Sequence, residues 1–375
     1  LGNIYIGELL SRVRLLVPQT SNNSSETRYT IYTIAGNGLC CGGNDLAPAM
    51  SPTGNILGLW LTTNYLLYLA ESKSRVRVIS PLFTMTSIPT SQPTFTGFRL
   101  ASTFFKQLRL VVGNGTAGYN GNNLPAGTST LVRIPKGIWT SSRGDLYFSE
   151  ATNCLIRKID AVTRVVTNIG GSPRNCAPDT NLQHAPFTSV ILNNPFGVVG
   201  DTNGKNLYVS DVTRIFQVNL ATMNATLIAG DISIRSFNGD NHSPAKNATF
   251  RTIRNIWLNT NGVLFIADQQ NHRVRAIDLR EETIVTIAGN GTQGFFGDSF
   301  SASNAMLRYP WDVFQDSTGI LFISDLNNHR IRRVSQDGII TTIAGTGSVT
   351  YNGDQILATT ASLAYPHNVR GDSIG

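Results

Sequence analysis

The sequence predicts an all-β protein, a six-bladed β-propeller of four-stranded antiparallel blades whose last blade is closed by strands from both termini. Three observations predict it. A short apolar run ending in glycine recurs as Thr33-Ile-Ala-Gly36, Leu110-Val-Val-Gly113, Thr167-Asn-Ile-Gly170, Leu227-Ile-Ala-Gly230, Thr286-Ile-Ala-Gly289 and Thr342-Ile-Ala-Gly345, its glycines 77, 57, 60, 59 and 56 residues apart. Each interval holds four short apolar stretches separated by Gly, Asp, Asn and Ser, the composition of tight turns between antiparallel strands. The ends complement each other: residues 3–35 supply a second, third and fourth strand, and Tyr365-Pro-His-Asn-Val-Arg-Gly371 matches the first strand Tyr309-Pro-Trp-Asp-Val-Phe-Gln315. A fixed period with four strands per unit signals blades that bury their faces against one another, and a shared closing blade removes the last free edge.

The clearest unit begins at Thr286. Its strands are Trp311-Asp-Val-Phe314, Ile320-Leu-Phe-Ile-Ser324, Ile331-Arg-Arg-Val334 and Ile339-Ile-Thr-Thr-Ile-Ala344. First strands are expected to begin near Ile56, Pro135, Pro195, Ile253, Pro310 and Pro366, because a proline is tolerated where no ladder hydrogen bond is required. Trp60, Trp139 and Trp257 share one position and read as packing residues. Tyr68, Tyr147, Tyr208, Phe265 and Phe322 on the second strands read as core. One domain over residues 1–375 accounts for the whole chain, since propellers grow by adding units around an axis.

Charged residues make up 14% of the chain and the formal net charge is +7. Eleven of the 24 arginines lie in or at the start of a third strand: Arg12, Arg14, Arg75, Arg77, Arg157, Arg214, Arg273, Arg275, Arg330, Arg332 and Arg333. An acidic residue ends each preceding strand, namely Glu8, Glu71, Glu150, Asp211, Asp268 and Asp325. This predicts one inter-strand ion pair per blade. Arginines spread around a ring form no stripe for a phosphate backbone, so nucleic acid is excluded as a partner.

At Asp268-Gln-Gln-Asn-His-Arg-Val-Arg275 and Asp325-Leu-Asn-Asn-His-Arg-Ile-Arg332 the units resemble NHL repeats, named for the asparagine, histidine and leucine of their motif. The likeness covers nearly the whole chain and is weakest at residues 81–107. It departs at Cys154, which stands where His272 and His329 stand, and at Asp211-Val-Thr-Arg214, where the turn is shorter. The resemblance implies a six-bladed propeller. It implies little about function, because such folds host unrelated activities.

Residues 81–107 break the period as an insertion between a third and a fourth strand. Its Thr, Ser and Pro suggest an extended, O-glycosylated segment, while Phe83, Phe95, Phe98, Phe104 and Phe105 suggest either a loop folded back on the blade or an arm docking on a partner. Asn22, Asn23, Asn114, Asn224, Asn241, Asn247 and Asn290 each begin an N-glycosylation sequon in a predicted turn or loop. They point to the secretory route and an extracellular protein. The chain opens without an initiator methionine or signal peptide, which reads as a processed or trimmed chain, and it has no membrane-spanning apolar run.

Cys154 and Cys176 belong to connections that emerge on one face of a single blade, so they can bridge. Cys40 and Cys41 are adjacent and can form a vicinal disulfide, bond another chain or stay free. His272 and His329 occupy the motif position, and His184, His242 and His367 are scattered with no zinc-like spacing. Some NHL propellers are lyases with histidine-bound metal near the axis. No matching constellation stands out here, so no catalytic residue, metal or cofactor is expected. Asp240, Asp298 and Asp354 recur in Gly-Asp loops, read as turn stabilisers ahead of calcium ligands. The expected function is a non-enzymatic extracellular structural or protein-interaction module, self-associating as the repeating subunit of a glycosylated filament or array. The alternative is a secreted propeller that binds a small ligand or carbohydrate on its loop face. The C-terminal strand can close its own propeller or a neighbour's.

Overall fold

Six antiparallel sheets surround one axis in a computed structural model that describes residues 2–19, 27–36, 55–64, 66–81, 105–173, 175–177 and 184–372. The first blade pairs Ile56–Leu61, Leu67–Glu71, Arg75–Pro81 and Phe105–Val112, in that order from axis to rim. The second, third, fourth and fifth blades repeat this order from Pro135–Thr140, Val198–Gly200, Ile253–Leu258 and Pro310–Gln315 outward. In the sixth, Pro366–Gly371 lies innermost against Ile4–Glu8, followed by Arg12–Gln19 and Arg28–Ala35. The C-terminal strand therefore closes its own propeller. Asn3 and Asp372 face each other there as a turn pair does: the Asp372 N–H donates to the Asn3 carbonyl at 3.1 Å and the Asn3 amide to the Asp372 carboxylate at 2.8 Å.

Among the described residues, four of the six sheets carry a fifth short strand at the rim, made by the connection that arrives from the previous blade. Leu124–Pro125, His184–Pro186, Ser243–Pro244 and Ile356–Leu357 pair with the fourth strands of the blades they lead into. The connection thus covers the outermost edge, which would otherwise expose unpaired backbone groups, before it turns back to the axis.

The first strand of the third blade is shorter than its sequence suggests and begins at Val198 rather than near Pro195. The chain still follows the same path, with Phe196 N–H donating to Ser210 O and Ser210 N–H to Gly197 O. Regular pairing starts only beyond Gly197, at Val198 opposite Val209. The insertion predicted over 81–107 is likewise entered and left by strand: Arg75–Pro81 and Phe105–Val112 pair as far out as Pro81 and Phe105. Phe105 therefore opens a fourth strand rather than lying on an arm.

Apolar side chains of adjacent blades interlock. Val209 and Phe216 pack with Ile256 and Ile266, Phe265 and Ala276 with Val313 and Ile323, and Tyr5 and Val13 with Leu59 and Leu69. Each fully buried side chain of this size contributes about 1.5–3 kcal/mol, and no blade could bury its faces alone. The inner strands approach closely. A Cβ on Gly58 would fall 1.6 Å from the Lys136 carbonyl oxygen, so this first-strand position admits glycine alone.

Candidate functional site

Five of the six first strands converge on one end of the axis with the residue that follows their opening position. Pro135, Ile253, Pro310 and Pro366 pair with Glu150, Asp268, Asp325 and Glu8 respectively. The next residues, Lys136, Arg254, Trp311 and His367, with Phe196 of the third blade, therefore stand at one axial level. This is also the end where connections between blades enter, the loop face.

These side chains form one cluster. Phe196 and Trp311 meet edge to face with centroids 5.9 Å apart, and the Trp311 ring lies 4.1 Å from that of His367. Lys136 Nζ sits 4.0 Å from the Phe196 centroid and 5.6 Å from that of Trp311. The Arg254 guanidinium sits 4.4 Å and 4.6 Å from the same two rings. Gln269 Oε1 accepts from Arg254 Nε at 2.7 Å. Among the described residues no carboxylate pairs with either cation. Burial, with the Arg254 charge added, pushes the Lys136 ammonium down to about 7, and burial pushes Arg254 down to about 10. His367 donates from Nδ1 to the Ile56 carbonyl at 3.1 Å, which leaves Nε2 as the acceptor of a neutral ring.

Below this mouth the axis is plugged. Asp312 is fully buried and accepts from Arg370 Nη1 at 2.7 Å and from the Val369 N–H at 3.1 Å. Arg370 lies over Trp257 at 5.2 Å and Trp60 at 5.9 Å. Trp60 and Trp257, from opposite blades, meet across the axis with centroids 5.5 Å apart, and Phe314 packs edge-on to Trp257 at 4.8 Å. The shared tryptophan position is thus used for packing, with Trp139 against Tyr147 at a tilted 5.3 Å centroid separation in the second blade.

Around the axis every blade buries one third-strand arginine against the acid that ends its second strand. Arg14, Arg77, Arg157, Arg214, Arg275 and Arg332 are all among the largest fully buried side chains. Glu8, Glu71, Glu150, Asp211, Asp268 and Asp325 are their partners. The guanidinium also pins the incoming connection: Arg157 donates to Leu131 O and Gly121 O, and Arg275 to Thr249 O and Asn238 O. Asp298 meets Arg332 at 2.7 Å and Asp354 meets Arg14 at 3.0 Å, while Asp240 accepts from the Thr286 N–H. These loop aspartates brace connections against the next blade.

In the third blade the short turn changes the register. Arg214 pairs with Gly230 at the strand's first position, and Phe216 takes the place that Arg275 holds in the fourth blade. Arg214 still reaches Asp211, at 2.5 Å.

Comparison with known proteins bears on the repeat. No family model matches the chain. Human NHL repeat-containing protein 2 is 33% identical over 92 residues, covering 22% of this chain and 12% of that protein. Human teneurin-1 is 28% identical over 228 residues, 55% of this chain but 8% of its own length. The chloroplastic protein Suppressor of quenching 1 of Arabidopsis thaliana is 24% identical over 239 residues, 61% of this chain and 22% of its own. The chain carries NHL-type repeats on a six-bladed propeller. It spans a small part of each of these relatives.

Solved structures agree on the fold of this NHL-type propeller. A Bacteroides thetaiotaomicron structural-genomics protein superposes with a TM-score of 0.60 at 14% identity, covering 97% of this chain and 84% of that one. An auxiliary nutrient binding protein of the same bacterium gives 0.58 at 14% identity, covering 95% and 77%.

The other predicted residues fall at several places on the propeller. Asn114, Asn241, Asn247 and Asn290 are exposed. Asn224 instead opens a fourth strand and pairs with Pro186, so it is not the loop residue its sequon suggested. Asn241 lies beside Ser243, which pairs with Ile284 at the start of a fourth strand, the end of the blade away from the mouth. Cys154 and Cys176 are bonded, with their Cα atoms 5.4 Å apart. Asn22, Asn23, Cys40, Cys41, Phe83, Phe95, Phe98 and Phe104 lie outside the described residues.

Sequence reading missed the mouth cluster, although its signal was available as the residue after each first-strand opener. It also missed the aromatic residues Tyr119, Phe237, Phe295 and Tyr351, each three residues before the Asp or Asn that follows its loop glycine. Phe237 lies 3.8 Å from Arg273 and 4.9 Å from Arg275, and Phe295 repeats this with Arg330 and Arg332.

Proposed function

We propose that this NHL-type propeller is a non-enzymatic extracellular interaction module that engages its partner on the loop face around the axis. The observation that carries the reading is the mouth itself, where two cations and two aromatic rings converge above a plugged axis. A plugged axis leaves the face, and not a channel, as the place for recognition. The Cys154–Cys176 bridge fits an oxidising compartment, and the exposed Asn114, Asn241, Asn247 and Asn290 fit a secreted, glycosylated surface. Similarity to teneurin-1 and to a protein described as nutrient binding supports the same class.

A protein partner, including a second copy in a filament or array, is part of the proposal. Phe296 and Phe300 stack 6.1 Å apart while 56% and 60% exposed, an apolar pair suited to such a contact. Two measurements on native material test this. Glycopeptide mass spectrometry is expected to find N-glycans on at least two of Asn114, Asn241, Asn247 and Asn290; all four bare would remove the secretory argument. Electron microscopy is expected to show regularly associated propellers, and isolated particles at micromolar concentration would overturn self-association.

A further inference from the structure

We propose that Lys136 and Arg254 form a seat for a small oxyanion, the carboxylate of an acidic sugar or a phosphate ester, at the axial mouth. The inference deepens the binding reading above and rests on it. Its basis is a contrast within one molecule. Arg370 and the six buried third-strand arginines each meet a carboxylate. Lys136 and Arg254, half-buried at the centre of the fold, meet none among the described residues and instead share the faces of Phe196 and Trp311.

Two like charges packed against the same pair of rings repel each other and have lost part of their hydration. Ring faces offset only part of that, less than desolvating an ion costs. An oxyanion between them would satisfy both. The planar guanidinium offers paired donors and the ammonium a point charge, a combination suited to carboxylate and phosphate oxygens. Gln269 fixes Arg254 through Nε at 2.7 Å and leaves its terminal nitrogens for a ligand. His367 and Trp311 build the adjoining wall. Asp312, a buried acid on the axis, is already held by Arg370 at 2.7 Å and is not available to neutralise the pair.

The seat also predicts an unusual stability effect. Removing an unpaired, half-buried charge relieves repulsion, so Lys136→Met should keep or raise the thermal midpoint of the ligand-free protein. A lysine present only for packing or for a structural ion pair would behave in the opposite way.

Calorimetric titration of the purified chain at pH 6 with glucuronate, glucose 6-phosphate and neutral glucose tests the proposal. At least one of the two anions is expected to bind 10-fold or more tighter than glucose, and Lys136→Met and Arg254→Met are each expected to weaken it at least 10-fold. Which anion binds distinguishes the carboxylate from the phosphate source. Binding of neither anion, equal binding by both variants, or a lowered midpoint for Lys136→Met would overturn the seat. None of these results would alter the glycan and assembly tests, so the oxyanion can fail while the interaction module stands.

Discussion

His329 Nδ1 accepts a hydrogen bond from the Tyr365 backbone N–H at 3.3 Å, and the two rings meet edge to face with centroids 4.5 Å apart. His272 and Tyr309 repeat the pair at 3.3 Å and 4.8 Å. The motif histidine of one blade therefore holds the residue that enters the first strand of the next. Both partners sit in left-handed backbone, with φ 54° for His329 and 49° for Tyr365. Burial pushes both histidines down, which favours the neutral ring that can accept.

Replacing His329 by Ala should lower stability by about 1–2 kcal/mol, the sum of one hydrogen bond and one aromatic contact. His329→Asn should lose less, because asparagine tolerates left-handed backbone. Denaturant unfolding of both variants checks this, and equal losses would show that the backbone conformation contributes nothing.

The buried ion pairs make a larger prediction. Arg157 Nη1 lies 3.1 Å from Glu150 Oε1 with both side chains fully buried. Glu150→Ala leaves a buried guanidinium uncompensated and should cost about 3–5 kcal/mol. The double variant Glu150→Leu/Arg157→Met should recover part of that loss. A double variant no more stable than the single one would mean that pinning the connection through Leu131 O and Gly121 O, rather than charge pairing, is what the arginine supplies.

Cys154 and Cys176 close a loop with a sequence separation of 22 residues. By loop entropy the bridge should contribute about 3 kcal/mol, so the Cys154→Ser/Cys176→Ser variant should unfold at correspondingly lower denaturant. Unchanged stability under reducing and oxidising conditions would show that the bridge does not form.

His367 predicts a pH dependence. Burial pushes its imidazole down to about 3, opposed by the hydrogen bond to Ile56 O and aided by the charges of Lys136 and Arg254. The unfolded chain takes up that proton near its ordinary value of about 6.5 and the folded chain does not. The contribution of His367 is therefore complete above about pH 6.5 and is lost as pH falls from there toward about 3. The stability difference between the parent chain and His367→Gln should shrink steadily between pH 7 and pH 4. A difference independent of pH would refute a neutral buried ring.

The sequence by itself determined the period, the strand content, the match of both ends to one blade and the arginine–acid pair of every blade, while the closure of that shared blade within one chain came from the tertiary structure. Those features are legible because each is local and repeated: alternating apolar residues, turn formers at fixed offsets, and an acid only a few residues before its arginine. It also placed Cys154 and Cys176 on one face, since both flank strands of a single blade. Tertiary structure alone decided what the axis holds. Lys136, Phe196, Arg254, Trp311 and His367 lie a full repeat apart and differ in type, so the sequence marks their shared position after each first-strand opener but not that the side chains meet. Closing the ring brings them to one level, just as it brings Trp60 to Trp257 from opposite blades. Convergence at an axis is a property of the closed ring, and no single repeat encodes it.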